Sequence, residues 1–160
     1  MSENIAAAIA AKNEVIAQQG TSLDEVAADL LAQAEHDVVA QPVMATDDEL
    51  FARKVSDEIE KQLVLLSTAQ TARASIDSCG KIIVCNSLKE AAEIANKKAP
   101  EHLELAMKEG SERDDIQNIV CNYGSLFIGH YAAEVFGDYA AGLNHTLPCQ
   151  RVLAAAAAQE

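Results

Sequence analysis

The chain has 160 residues, 49% of them hydrophobic but only 4% aromatic and none Trp, and its 12 Lys and Arg face 25 Asp and Glu for a net charge of -13. That length suits one domain with a core of Ala, Val, Ile and Leu and is short for a two-domain enzyme. The acidic balance argues against a nucleic-acid backbone or an anionic membrane as partner, because either needs a basic patch, and leaves a small ligand, cationic ones included.

Met1 to Gln19 reads either as a helix from Ile5 to about Ala17 or as a short strand at Glu14 to Ala17, and composition does not decide between them. Nothing basic precedes an apolar run there, and no window reaches about 18 apolar residues, so a cytoplasmic chain is expected. Gly20 breaks the pattern, and Ser22-Leu23-Asp24-Glu25 is a capping box opening a helix to about Glu35. Val26, Ala27, Leu30, Leu31 and Ala34 make its apolar stripe. Asp29, Gln33 and His36 share another face, expected to be polar and solvated, where Gln33 and His36 are two potential metal ligands.

Val38 to Ala45 has the content of a buried strand, with Pro42 marking an edge or irregularity. Thr46-Asp47-Asp48-Glu49 reads as a second capping box for a helix to about Leu66, whose Arg53, Lys54, Asp57, Glu58, Glu60 and Lys61 alternate in sign as a solvated face. A shorter helix over Thr68 to Asp77 follows. Gly80 then leads into Lys81-Ile82-Ile83-Val84-Cys85, a β-branched run predicted to be buried on both faces. Ser87-Leu88-Lys89-Glu90 is a third capping box, with its helix ending near Lys98.

Pro100 disfavours helix at Ala99, so Glu101 and His102 are placed where a helix stops and an extended segment, Leu103 to Met107, begins. An imidazole can take a proton from an alcohol while a neighbouring carboxylate polarises water. Taken alone, such a pair reads first as solvated surface or an ion-paired loop. A helix over Ser111 to about Asn118 and a glycine-bounded strand, Gly124 to Gly129, complete the alternation. The stretch Gly137 to Pro148 reads as a ligand-facing loop with Asp138 and His145 as candidate site residues.

The fold class expected is α/β, with helices in three layers on a small, mostly parallel sheet, an incomplete Rossmann-like domain. Residues 1–20 would be an N-terminal helix or strand extension, 21–150 a single domain and 151–160 an Ala-rich tail. Cys79, Cys85, Cys121 and Cys149 have no C-x-x-C spacing, so buried or surface thiols are expected rather than a zinc ribbon or redox pair.

Four blocks together resemble histidinol dehydrogenase, over roughly Leu23 to Pro148. They are Ala27-Ala28-Asp29-Leu30-Leu31-Ala32-Gln33-Ala34-Glu35-His36-Asp37, Ala99-Pro100-Glu101-His102-Leu103-Glu104-Leu105, Gly124-Ser125-Leu126-Phe127-Ile128-Gly129, and Gly137-Asp138-Tyr139-Ala140-Ala141-Gly142 running on to Asn144-His145-Thr146-Leu147-Pro148. The resemblance implies Gln33, His36 and Asp138 as zinc ligands, His102 as general base, Glu101 as the residue that activates water, and His145 as a substrate contact. It further implies Zn2+ and NAD as cofactors, an amino alcohol as substrate, oxidation of histidinol through the aldehyde to histidine, and a dimer.

The chain departs from the family's pattern in places. About 22 residues precede the first matching helix, where the family carries a cofactor domain, and no G-x-G-x-x-G is present. The family's Gly-Pro-Ser-Glu stretch is replaced by Ala11-Lys12-Asn13-Glu14, if Glu14 is the aligned acid. Cys149 stands where Thr is common, and the C-terminal arm carrying a fourth zinc-ligand histidine has no counterpart in Arg151 to Glu160. Two readings result: an oxidoreductase of this family, either a truncated homologue or half of a system whose NAD-binding part lies on another chain, or a non-catalytic zinc or small-ligand binding module on the same scaffold.

Overall fold

The computed structural model describes residues 12–129; the expected ligand-facing loop with Asp138 and His145 lies outside the described residues, as does the 151–160 tail. Ten elements follow in order: β1 Lys12–Ala17, α1 Leu23–Ala34, β2 Gln41–Thr46, α2 Glu49–Leu63, α3 Ala69–Cys79, β3 Lys81–Val84, α4 Leu88–Lys98, β4 His102–Ala106, α5 Ser111–Ile119 and β5 Ser125–Ile128. The α/β expectation holds, and every pairing among the described strands is parallel, in the order β3-β2-β1-β4-β5. The chain winds outward from β1 in one direction and then the other, the doubly wound arrangement that puts helices on both faces. Of the two readings of the N-terminal stretch, strand holds for residues 12–17, at the centre of the sheet.

Side-chain alternation on β1 divides the core. Val15 and Ala17 join Met44 and Ala106 under α1, α2 and α3, through Val26, Leu30, Leu31, Phe51, Val55 and Ala72. Ile16 faces the other way with Ala45, Leu103 and Leu105 and meets α4 and α5 through Leu88, Ala91, Ala92, Ala95 and Ile116. The small residues of α4 let that helix lie close to the sheet, which is what a core nearly without aromatics permits.

The local signals work where they are short-range. Ser22 and Ser87 each cap a helix by accepting from the backbone amides of Glu25 and Glu90. The third cap differs: Asp48, not Thr46, accepts from Phe51 N at 2.6 Å. Thr46 is fully buried as the last residue of β2, paired with Val84, so the sheet claims it before the helix can. Glu90 reaches back to the amide of Asn86 rather than to Ser87.

Three expectations about burial change. The Lys81 to Val84 run is an edge strand, with Lys81 and Val84 exposed and Ile82 and Ile83 half-buried, so its β-branched content reflects strand propensity and not burial on two faces. Pro42 lies in an inner strand, but the β2–β3 pairing starts at Val43, so its missing N–H interrupts no bond on that side. Asp29 and Gln33, expected on a solvated face, are both buried. The α2 charges do lie outside, with Arg53 paired to Glu49 and Lys61 to Glu58.

Candidate functional site

In a parallel sheet each helix returns the chain to the edge where strands begin. That edge therefore collects the last turn of α1, with Gln33 and the following His36, together with the first residues of β1, β4 and β5. Register aligns Asn13, His102 and Ser125 in one row across three strands. Glu101 and His102 stand where β4 opens, both buried, His102 to 4% exposure. They are not the solvated loop that an isolated Glu-His pair would suggest.

Backbone geometry sets the pair in place. α4 ends on Ala99, which adopts a left-handed conformation, φ 51° and ψ 66°, and its amide bonds to Ala95 O at 2.8 Å. Ala99 is the one described residue other than glycine with positive φ, and the turn it makes drops Pro100 and Glu101 straight into β4. On the far side Gly124 N donates to Pro100 O at 3.0 Å and Ser125 N to Glu101 O at 2.8 Å. A Cβ on Gly124 would stand 2.5 Å from Glu101 O, so only glycine fits. Asn96 organises the approach to that glycine, accepting from the amides of Cys121 and Asn122 and donating to Ile119 O. The His102 imidazole meets Phe127 edge to face, centroids 5.8 Å apart and planes at 90°.

Of the expected zinc ligands, Gln33 is buried to 1% exposure inside the last turn of α1, and His36 is exposed one turn on, its amide bonded to Gln33 O at 3.3 Å. The loop that carries His36 is tied to α3 and its N-cap: Thr68 donates to Glu35, Ser75 Oγ to Ala40 O and Ser78 Oγ to Val38 O. One amide oxygen and one imidazole are acceptable zinc donors but need at least one more protein ligand, and the expected third, Asp138, lies outside the described residues. Among the described residues no three His, Cys, Asp or Glu groups gather where a metal could be held. His145 also lies outside them.

Beside the row of site residues, Glu14 points to the α4 face. It is fully buried, and neither of its carboxyl oxygens has a hydrogen-bond partner among the described residues. Burial pushes its carboxyl up to about 7, and Lys98 pulls against that. Lys98 also donates to Asn13 O at 3.2 Å. The sequence marked Asn13 and Glu14 only as a departure from a motif; a charged residue inside a short apolar run, Glu14-Val15-Ile16-Ala17, was the available sign of something held under constraint. Glu104 and Phe127, given no role from sequence, share the face of His102.

At the opposite edge, where doubly wound folds commonly take nucleotides, a cleft of about 330 Å³ lies between the starts of α4 and α5. Asp47, Glu112 and Asp115 line it together with Lys89, so three carboxylates face one ammonium there and the cleft is acidic on balance. The described thiols, Cys79, Cys85 and Cys121, are all unpaired, as expected, and Cys149 lies outside. No described helix is long and apolar enough to cross a membrane.

Comparison with known proteins agrees with this topology. The family model for histidinol dehydrogenase matches residues 7–158. Histidinol dehydrogenase from Brucella abortus is 43% identical over 137 residues, 86% of this chain and 31% of that protein. The enzyme from Geobacter sulfurreducens is 47% identical over 123 residues, 77% of this chain and 28% of its own length. A crystal structure of histidinol dehydrogenase from Elizabethkingia anophelis superposes with a TM-score of 0.80 at 35% identity, covering 86% of this chain and 31% of that one. The chain thus spans about a third of the length of these relatives.

Proposed function

The chain belongs to the histidinol dehydrogenase family, and on that premise we propose that its strand-start edge is the metal- and substrate-facing part of the family's oxidoreductase, which oxidises histidinol through the aldehyde to histidine with NAD. The observation that carries this reading is the row Asn13, His102 and Ser125 with Glu101 beside it, a buried acid and imidazole at the edge where the last turn of α1 carries Gln33.

Each residue has a defined task under this reading. His102 takes the carbinol proton of the amino alcohol, which needs its imidazole held still and shielded from bulk water, as its burial provides. Glu101, adjacent to it, orients water for attack on the aldehyde carbon. Gln33 and His36, with Asp138, would hold Zn2+, and His145 would contact substrate. Bound zinc would supply Lewis-acid polarisation and fix the substrate's nitrogens. NAD, which the family reaction uses, is assigned to the portion of the relatives that this chain does not span. A dimer or a second chain that completes the site, and residues 21–150 acting as one domain, belong to the same proposal, as does a cytoplasmic location.

Zinc content and affinity of the purified chain, beside a His36→Ala variant, test it. Stoichiometric zinc that the variant loses is the expected result. Zinc and histidinol should also raise the melting temperature of metal-free protein, a ligand at about 100 times its dissociation constant adding about 2.7 kcal/mol. Zinc binding without NAD reduction, even with the relatives' remaining portion supplied in trans, would leave a non-catalytic binding module. No zinc and no response to histidinol would end both readings.

A further inference from the structure

On the face of the sheet that carries His102, the parallel register lays out three successive rows: Asn13, His102 and Ser125; then Val15, Glu104 and Phe127; then Ala17 and Ala106. Glu104 is buried to 6% exposure, flanked in its own row by Val15 and Phe127 and followed along its strand by Ala106. Within the sheet, therefore, the polar neighbours of its carboxyl are those of the His102 row. Two residues along a strand separate side chains by about 6.5 Å, a span that a glutamate and an imidazole leaning together can close to hydrogen-bond distance.

The imidazole's ring contact crosses between the rows. Its register partner is Ser125, yet the ring it meets is Phe127, the partner of Glu104. The two rings meet on a diagonal, over the space between the rows that Glu104 also borders. α1 packs on the same face of β1 and β2 and adds Asp29 and Gln33 as its buried polar groups. An acid such as Asp29 cannot satisfy a buried carboxylate at neutral pH; the Gln33 and Asn13 amides and the imidazole N–H can, and of these only the imidazole can become a cation that matches the carboxylate's charge.

We propose that Glu104 is a positioning residue for His102: its carboxylate accepts one imidazole N–H while Phe127 holds the ring edge-on, which fixes the tautomer and leaves the other ring nitrogen bare. A carboxylate behind an imidazole selects the tautomer and stabilises the cation formed when the bare nitrogen takes a proton. The role rests on the reading of His102 as the base, and its chemical consequence for His102 can be observed without that reaction.

The test is long-range 1H–15N NMR on the uniformly labelled chain, with His102 assigned by a His102→Asn variant and compared with Glu104→Gln and Phe127→Leu. Glu104→Gln keeps the shape and removes the charge. It should lower the midpoint of His102 titration by about one pH unit and mix the tautomers, with amide shifts outside β4 unchanged. Phe127→Leu should remove the ring-current shift of the imidazole C–H protons. A His102 midpoint and tautomer that are the same in Glu104→Gln as in the wild type overturn the proposal. Should that variant fail to fold, the wild-type Glu104 side-chain carboxyl carbon decides: it shifts as His102 titrates if the two are paired, and shows no inflection there if they are not. Zinc and histidinol binding are scored separately. A His102 midpoint that moves with Glu104 in a chain binding neither ligand retains the positioning role and removes the reaction.

Discussion

Gly124 and Glu101 are pressed backbone to backbone: a Cβ on the glycine would lie 2.5 Å from Glu101 O and 3.3 Å from its carbonyl carbon. The contact joins the start of β5 to the acid of the candidate site. Gly124 therefore works as a spacer that sets how near β5 comes to the Glu101-His102 pair. Because the atoms in the way are backbone, they cannot swing aside.

Gly124→Ala should cost about 1–3 kcal/mol of stability, the range for forced overpacking, and should separate the first residues of β5 from β4. Urea denaturation gives the first figure. The amide shifts of Ser125, whose N–H donates to Glu101 O, give the second. A variant as stable as the wild type would show that β5 yields freely at this point.

Glu14 gives the fold a pH dependence of determinable sign. Its carboxyl rises from 4.5 to about 7 on folding, chiefly through burial. A raised carboxyl pKa means the folded state holds the proton more tightly, so the associated stability is complete below about pH 4.5 and is lost as pH rises through about 7. The shift corresponds to about 3 kcal/mol. Glu14→Gln should match the wild type near about pH 4 and exceed it by up to about 3 kcal/mol near about pH 8, read as denaturation midpoints across that window. Equal pH profiles for the two proteins would contradict this account of Glu14.

Ala99 tests the turn that feeds the pair. Left-handed backbone costs a residue with a Cβ about 1–2 kcal/mol, and branching at Cβ makes it worse. Ala99→Val should lose about 1–3 kcal/mol, whereas Ala99→Gly should come out within about 1 kcal/mol of wild type, relief of strain offsetting the added freedom of the unfolded chain. Thermal denaturation of both variants measures the contrast. A valine tolerated without loss would mean that the turn is soft.

Asn96 supplies four hydrogen bonds to the 119–122 segment, three through its side chain and one through its carbonyl oxygen, which accepts from Asn122 Nδ2. Asn96→Ala removes the three side-chain bonds and strands the amides of Cys121 and Asn122. A loss of about 2 kcal/mol is expected, with faster hydrogen exchange at those two amides. Asn96→Asp should recover the accepted bonds and only part of the stability. Exchange rates unchanged in Asn96→Ala would show that water replaces the side chain at no cost.

Much of this chain was legible without coordinates because the relevant physics is local. Ser22 and Ser87 lie one turn from the amides they cap, Pro100 acts on its own neighbour, and glycines bracket β5 on either side. The pair Glu101-His102 and the helix carrying Gln33, with His36 just past its end, could likewise be named from residues in hand. Misjudged features were those where a distant strand intervened. Thr46 looked like a cap until pairing with Val84 drew it into β2, and the Ile82-Ile83 strand looked central until the strand order left it at an edge.

By itself, the sequence determined the alternation of helices and strands, the Ser22 and Ser87 caps and the family. Tertiary structure alone decided that β1 is the central strand, that Asn13 lies beside His102, that Glu104 shares a face with both His102 and Phe127, and that Glu14 is buried without a partner among the described residues. The physical reason is separation along the chain. Residues 13 and 102 become neighbours only when β1 and β4 pair in one register, and no short-range preference of either segment encodes that register.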